Sequence, residues 1–225
     1  MDHRVSKKKY LLTISYSHTC YVLRQMGYVR LKPRSWPLEQ DEARRGAFQQ
    51  RLAEVAADPA VELWFQDESG FAADPKPRRV MALKGSRPRH GYTGTHLREN
   101  VVGAVRPWDG KLACLMMPEV NTETFQIFLD HLQAQALDRR IVLVLDNASW
   151  HKAKRLHWGR IEPFYLPPYS PDFNCIERLW LDIKNQYFTY FVTKLPKELS
   201  RHLEAALKFY IDHPEVCRQI CGAKK

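Results

Sequence analysis

The sequence predicts an α/β fold, a mixed sheet flanked by helices and preceded by a short helical appendage. Three observations carry that expectation. Ile141-Val142-Leu143-Val144-Leu145 is apolar without alternation, as in a central strand covered on both faces. Trp108-Asp109-Gly110 lies between two strand-like runs, residues 100–105 and 112–117, and reads as a hairpin. Around them the order strand, hairpin, helix, central strand, helix, strand, helix builds one sheet with helices on its faces.

In chain order, Ser17 is a candidate cap for a helix carrying Cys20, Leu23, Arg24 and Met26 and stopping at Gly27. A second helix over about residues 38–57 is rich in Gln, Glu, Ala and Arg, and Lys32-Pro33-Arg34-Ser35-Trp36-Pro37 between them reads as a linker. Residues 61–65 form a strand ending at Gln66-Asp67-Glu68. Residues 76–98 hold Lys76, Arg78, Arg79, Lys84, Arg87, Arg89 and Arg98, three glycines and no acid. A run of one sign suits phosphate better than a mixed solvated face does. After the hairpin, Asn121 can cap a helix with Phe125, Phe128, Leu129 and Leu132 on one face. The central strand and a short helix follow, then a strand at about 161–166, a proline loop and a long helix from Asn174. Pro196 opens a last helix with Leu199, Leu203, Ala206 and Leu207 aligned.

Composition narrows the function. The 225 residues carry 35 Lys and Arg against 25 Asp and Glu, a net charge of +10, and 44% are apolar. That is a foldable basic domain needing an anionic partner, with nucleic acid the first candidate. No stretch reaches the length of a bilayer span, and the polar N-terminus lacks the apolar core of a secretory signal. Five scattered cysteines fit a reducing cytoplasm better than a disulfide framework. Cys217 and Cys221 with His202 and His213 lack the spacing of a zinc site and read better as helical thiols.

Three carboxylates stand where ligands of open α/β sheets gather: Asp67 and Asp146 at strand ends, Glu177 on the first turn of the helix after the last strand. Converging there, they would repel unless a cation joined them, and hard oxygen donors suit Mg²⁺ or Mn²⁺. Each also has a structural explanation. Asp67 fits a turn, Asp146 with Asn147 fits a helix N-cap, and Asn174 with Glu177 has capping-box spacing.

Three blocks then resemble the signatures of mariner-type transposases, in particular the bacterial insertion-sequence branch with a DDE catalytic domain. They are Phe65-Gln66-Asp67-Glu68-Ser69; Val144-Leu145-Asp146-Asn147-Ala148-Ser149-Trp150-His151; and the stretch from Leu166-Pro167-Pro168-Tyr169 through Ser170-Pro171-Asp172-Phe173-Asn174-Cys175-Ile176-Glu177 to Trp180. The resemblance covers about residues 61–191 and implies a ribonuclease-H-like fold. It implies Asp67, Asp146 and Glu177 as catalytic, metal-binding residues holding two Mg²⁺ or Mn²⁺ ions. Glu68, Asn147, His151 and Asn174 would shape the site. Lys76, Arg78, Arg79, Lys84, Arg87, Arg89, Arg98, Lys152, Lys154 and Arg155 would contact DNA.

The resemblance also implies the reaction: hydrolysis of phosphodiester bonds at transposon ends, then attack of the freed 3′-hydroxyl on target DNA, typically at a TA step. Partners would be inverted-repeat ends, target DNA and a second copy of the chain, with no membrane and no small-molecule cofactor. The setting would be a bacterial cytoplasm, at the nucleoid. Residues 1–57 would be a helical remnant of a DNA-binding region with its linker. Residues 58–191 would be the catalytic domain with its basic insertion at 76–98, and 192–225 a helical segment packed on it.

Three features depart from that family. Cys175 replaces a usual proline, at a helix start where proline is favoured without being required. The Asp146-to-Glu177 interval is shorter by about one helical turn, which keeps the intervening helix in register. Only the last recognition helix of the usual helix-turn-helix modules is represented, at about residues 16–26, with the others expected in another reading frame or lost by truncation. Two alternatives follow: a truncated or repurposed protein that binds DNA without cutting it, and a nuclease of RNA–DNA hybrids, against which the proline loop and basic insertion argue.

Overall fold

In the computed structural model, residues 15–31, 39–74, 80–136 and 139–222 are described. The chain divides into two compact units, Met1–Leu38 and Glu39–Lys225. The first contributes one described helix, α1 (Tyr16–Gln25). Its cap is Ser15, whose hydroxyl accepts from the His18 N–H, so the sequence-based choice of Ser17 is two residues late. Gly27, at φ +82°, closes the helix. The Tyr28 N–H donates to the Leu23 carbonyl and the Gly27 N–H to that of Arg24, the Schellman pattern that a left-handed residue allows. No residue of α1 is buried.

The second unit is a five-stranded sheet with helices on both faces. The strands are β1 (Val61–Ala72), β2 (Arg98–Arg106), β3 (Lys111–Met117), β4 (Arg140–Leu145) and β5 (Ile161–Tyr165), in the order β3-β2-β1-β4-β5. β1–β2 and β2–β3 are antiparallel; β1–β4 and β4–β5 are parallel. The helices are α2 (Glu42–Ala57), α3 (Thr122–Gln135), α4 (Ile176–Ile183), α5 (Pro196–Asp212) and α6 (Pro214–Cys221). This is the mixed sheet expected from the sequence. Single-turn 3₁₀ segments occupy Ser149–Lys152 and Pro171–Phe173, and α4 runs on into a π-helical turn, Lys184–Phe188.

Strand alternation sorts the core into two layers. Ile141, Leu143 and Leu145 of β4 pack with Phe125, Phe128, Leu129 and Leu132 of α3. Val142 and Val144 face the other way, into the layer built by Phe48, Ile176, Leu179, Trp180, Leu203 and Cys217 of α2, α4, α5 and α6. Both faces of β4 are therefore buried, as its unbroken apolar run requires. Asn121 caps α3 in a reciprocal capping box with Thr124.

Two elements differ from the sequence-based expectation. β1 does not stop at Phe65; it continues to Ala72 because β2 pairs with it from Phe65↔Val105 to Ala72↔Arg98. Asp67 is consequently a mid-strand residue and no turn former. The helix at 42–57, grouped by sequence with the N-terminal appendage, makes its contacts within the sheet unit. Its Phe48 stacks on Phe164 and Phe173 at centroid distances of 4.7 and 5.5 Å. Among the described residues no helix is long and apolar enough to cross a membrane.

Candidate active site

Register points the first two carboxylates toward each other. The β1–β4 pairing ends at Phe65↔Val144, and carried on by two residues the same register would bring Asp67 next to Asp146, whose charge Asp67 feels. Neighbouring strands lie about 4.8 Å apart, and partner residues in parallel strands face the same side. Asp67 shares its face of β1 with Phe65 and Phe71, which pack into the layer containing α4. The first turn of α4 carries Glu177. Opposite Asp67, Gly103 of β2 has no side chain, and a Cβ there would stand 2.8 Å from the Trp180 ring. Glycine thus lets α4 seat against the strand that bears Asp67.

The loop before α4 is tied to the same point. The Asn174 amide donates to the Gln66 carbonyl at 2.7 Å, one residue before Asp67. The Asn174 backbone N–H donates to Pro171 at 2.8 Å, so the capping box suggested by Asn174 and Glu177 does not form. Among the described residues nothing hydrogen-bonds the Glu177 carboxylate. Asn147 ties β4 to the end of β5 through a 2.6 Å bond to the Leu166 carbonyl and accepts from Lys152 Nζ at 2.7 Å. Asp146 does not cap the short helix that follows, whose N-cap is Ala148 with no side-chain cap; its Oδ1 instead accepts from the Ala148 N–H at 2.9 Å.

The electrostatics are those of a site with too much negative charge. Burial, then Glu68, push the Asp67 carboxyl up to about 7, and Glu177 and Asp146 add to the effect against one backbone N–H. Burial and then Asp172 raise Glu177. Asp146 is held below the usual carboxylate range by the His151 hydrogen bond first, helped by the Ala148 N–H and Lys152 against partial burial. His151 is fully buried, with Nδ1 2.9 Å from Asp146 and Nε2 2.9 Å from Glu68. Burial pulls its pKa down, but those two partners outweigh it and raise it to about 9.

Among the described residues no three Asp, Glu, His or Cys side chains stand at metal-ligand spacing around one point. The donor chemistry nevertheless fits a divalent cation. All three carboxylates are hard oxygen donors, and Glu177 is exposed and unrestrained. The cysteine–histidine group does not fit a metal: His202 bonds the Tyr187 carbonyl at 2.7 Å and stacks on Phe191, and His213 bonds the Phe209 carbonyl.

Of the expected DNA contacts, Lys76, Arg78 and Arg79 lie outside the described residues. Lys84, Arg87, Arg89 and Arg98 are exposed, as are Lys152, Lys154 and Arg155. Arg155 pairs with Glu123 at 2.7 Å. Arg98 lies across Gly70, where a Cβ would overlap its guanidinium. The sequence reading missed Lys184, which is half-buried at the end of α4. Burial and then Arg98 lower its pKa while Asp67 opposes them, so this ammonium stands within electrostatic reach of Asp67. Its signal is a spacing of seven residues from Glu177, two helical turns along one face. Also missed was the clamp on the proline loop, in which Arg45 Nη2 meets Asp172 at 2.8 Å and Gln40 donates to the Tyr169 carbonyl at 2.7 Å.

Comparison with known proteins bears on the family and the fold. Residues 62–195 match the family described as DDE superfamily endonuclease, more than half of the chain. An uncharacterized protein, y4pE/y4sA, of Sinorhizobium fredii is 32% identical over 116 residues, 51% of this chain and 86% of that protein. The insertion element IS630 uncharacterized 39 kDa protein of Shigella sonnei is 28% identical over 145 residues, and the match spans 62% of this chain but only 42% of that longer protein. Among solved structures, the Mos1 transposase paired-end complex with left transposon end aligns with TM-score 0.67 at 16% identity, over 99% of this chain and 75% of that one. The catalytic domain of Mos1 mariner transposase aligns at 0.51 and 14% identity, over 87% and 100% of the two chains. At those identities the likeness is one of fold, and it is the ribonuclease-H-like fold that the three motifs implied. The family match and the motif-bearing strands together make this chain a member of the DDE superfamily of endonucleases.

Proposed function

We propose that the chain is the catalytic part of a mariner-type transposase, which hydrolyses phosphodiester bonds at transposon ends and transfers the freed 3′-hydroxyl into target DNA. The observation that supports this reading is the β1–β4 register, which, carried two residues past its last pair, points Asp67 toward Asp146, with Glu177 on the first turn of the helix packed over that layer. Asp67, Asp146 and Glu177 would hold the cations, two Mg²⁺ or Mn²⁺ per site. When bound, such ions activate the attacking oxygen and stabilise the leaving one. Structures of the Mos1 paired-end complex with Mn and with Mg support divalent-metal chemistry on this fold.

The protein's own contribution is positional. Asn174 and Asn147 tie the loops that carry Glu177 and Asp146 to the sheet. Exposed Lys84, Arg87, Arg89, Arg98, Lys152 and Lys154 supply charge for phosphate, while Arg155 must exchange Glu123 for it. The paired-end and pre-cleavage Mos1 assemblies support DNA as partner and a homodimer acting on it. Residues 1–38 would belong to the DNA-binding region of a longer protein, at work in the bacterial nucleoid.

The test is nicking and strand transfer with Mg²⁺ on a transposon-end duplex, comparing wild type with Asp146→Asn. Activity confined to wild type and abolished by EDTA is expected. Salt-sensitive DNA binding without cleavage would select a non-catalytic binding protein, and cleavage of RNA–DNA hybrids alone would select a cellular nuclease.

A further inference from the structure

We infer that Glu68 and His151 form a buried brace that fixes the Asp146 carboxylate with one oxygen turned toward the cation, so that both are positioning residues. This rests on the metal reading proposed above and deepens it. β1 carries two adjacent carboxylates, and strand alternation sends them to opposite faces. Asp67 joins the face shared with α4, while Glu68 turns to the face of α3 and meets the His151 ring.

The imidazole has no freedom there. It is fully buried in the turn Ser149–Lys152, with the Phe125 ring centroid 4.3 Å away, and the Tyr165 hydroxyl holds its carbonyl at 2.9 Å. Each ring nitrogen lies 2.9 Å from a carboxylate oxygen, Nδ1 from Asp146 and Nε2 from Glu68. The ring therefore bridges the two carboxylates, with a nitrogen within hydrogen-bond distance of each. Glu68 Oε1 is itself anchored, accepting also from Gln66 Nε2 at 3.1 Å and Trp150 Nε1 at 3.4 Å.

The consequence falls on Asp146. Both of its hydrogen bonds, from His151 Nδ1 and from the Ala148 N–H, converge on Oδ1 at 2.9 Å. Oδ2 keeps its lone pairs for a cation, and the carboxylate plane is set before the ion arrives. Hydrogen-bond partners of this kind orient metal-binding carboxylates, and removing them typically weakens affinity about 10- to 100-fold.

Isothermal titration of the 225-residue chain with Mn²⁺ tests this, alongside thermal unfolding of the metal-free proteins. Wild type binds and Asp146→Asn binds far more weakly. His151→Ala and Glu68→Ala lose about 10- to 100-fold in affinity. Glu68→Gln keeps an acceptor for the ring and recovers most of it, which a loss of packing alone would not produce. Glu68→Ala leaves the imidazole in place and so covers the case in which His151→Ala does not fold. Wild-type affinity in both alanine variants, with only their melting temperatures lowered, would overturn the brace and leave the metal site standing. Failure of wild type itself to bind Mn²⁺ would overturn the metal reading and the brace with it.

Discussion

Asp67 and Glu68 are neighbours in sequence with different jobs, and one peptide step decides which. Asp67 faces α4 and the other candidate cation-holding groups, whereas Glu68 faces His151. With its carboxyl raised to about 7, Asp67 holds its proton more tightly in the folded chain than in the unfolded one. Without metal, folding stability therefore falls as pH rises from the ordinary carboxylate range to about 7 and is flat above. Asp67→Asn removes that dependence. In EDTA its melting temperature should gain on wild type between about pH 4 and pH 8, while Mn²⁺ stabilises wild type and leaves the variant unmoved. A constant gap across pH would deny the raised carboxyl. The sequence could name these acids and His151 through its motifs, but not the burial of the imidazole between two carboxylates.

At the level of elements, α4 and the loop before it carry Glu177, and two contacts seat them. Gly103 accommodates the Trp180 ring, so Gly103→Ala forces ring or strand to shift and should cost about 1–3 kcal/mol by denaturant unfolding, with weaker Mn²⁺ binding. The other contact is the α2 clamp: Arg45 bridges Asp172 and lies 4.2 Å over the Phe173 ring. Because Asp172 is more than half exposed, a double-mutant cycle between Arg45→Ala and Asp172→Ala should give only about 0.5–1 kcal/mol of coupling. A coupling of zero would mean that α2 is held by its apolar contacts, Phe48 with Leu52 and Val55, and not by this ion pair. Elements written in local pattern were legible, namely β4, the hairpin and the Asn121-capped α3. Those depending on distant partners were not. The polar stretch Gln66-Asp67-Glu68-Ser69-Gly70 is a strand only because β2 pairs along it, and α2 joins the sheet through Phe164 and Phe173, more than a hundred residues away.

For the molecule as a whole, the net charge of +10 sets the expectation for DNA. If Lys84, Arg87 and Arg89 all lie on phosphate, replacing the three by alanine should reduce the slope of log affinity against log salt by about 2–3. An unchanged slope would assign the DNA to another surface. The fold itself was legible because its strand order follows from one hairpin, two parallel crossovers and the placement of three motifs. The meeting of those motifs in space was implied by their resemblance to a family, and the β1–β4 register, which ends two residues before Asp67 and Asp146, supports it for those two. The most direct measurement is a crystal soaked in Mn²⁺ and recorded at the manganese absorption edge. An anomalous peak enclosed by the carboxylates of Asp67, Asp146 and Glu177 is the predicted result. A peak held by other residues, or ordered crystals with no peak among these three at saturating Mn²⁺, would contradict it.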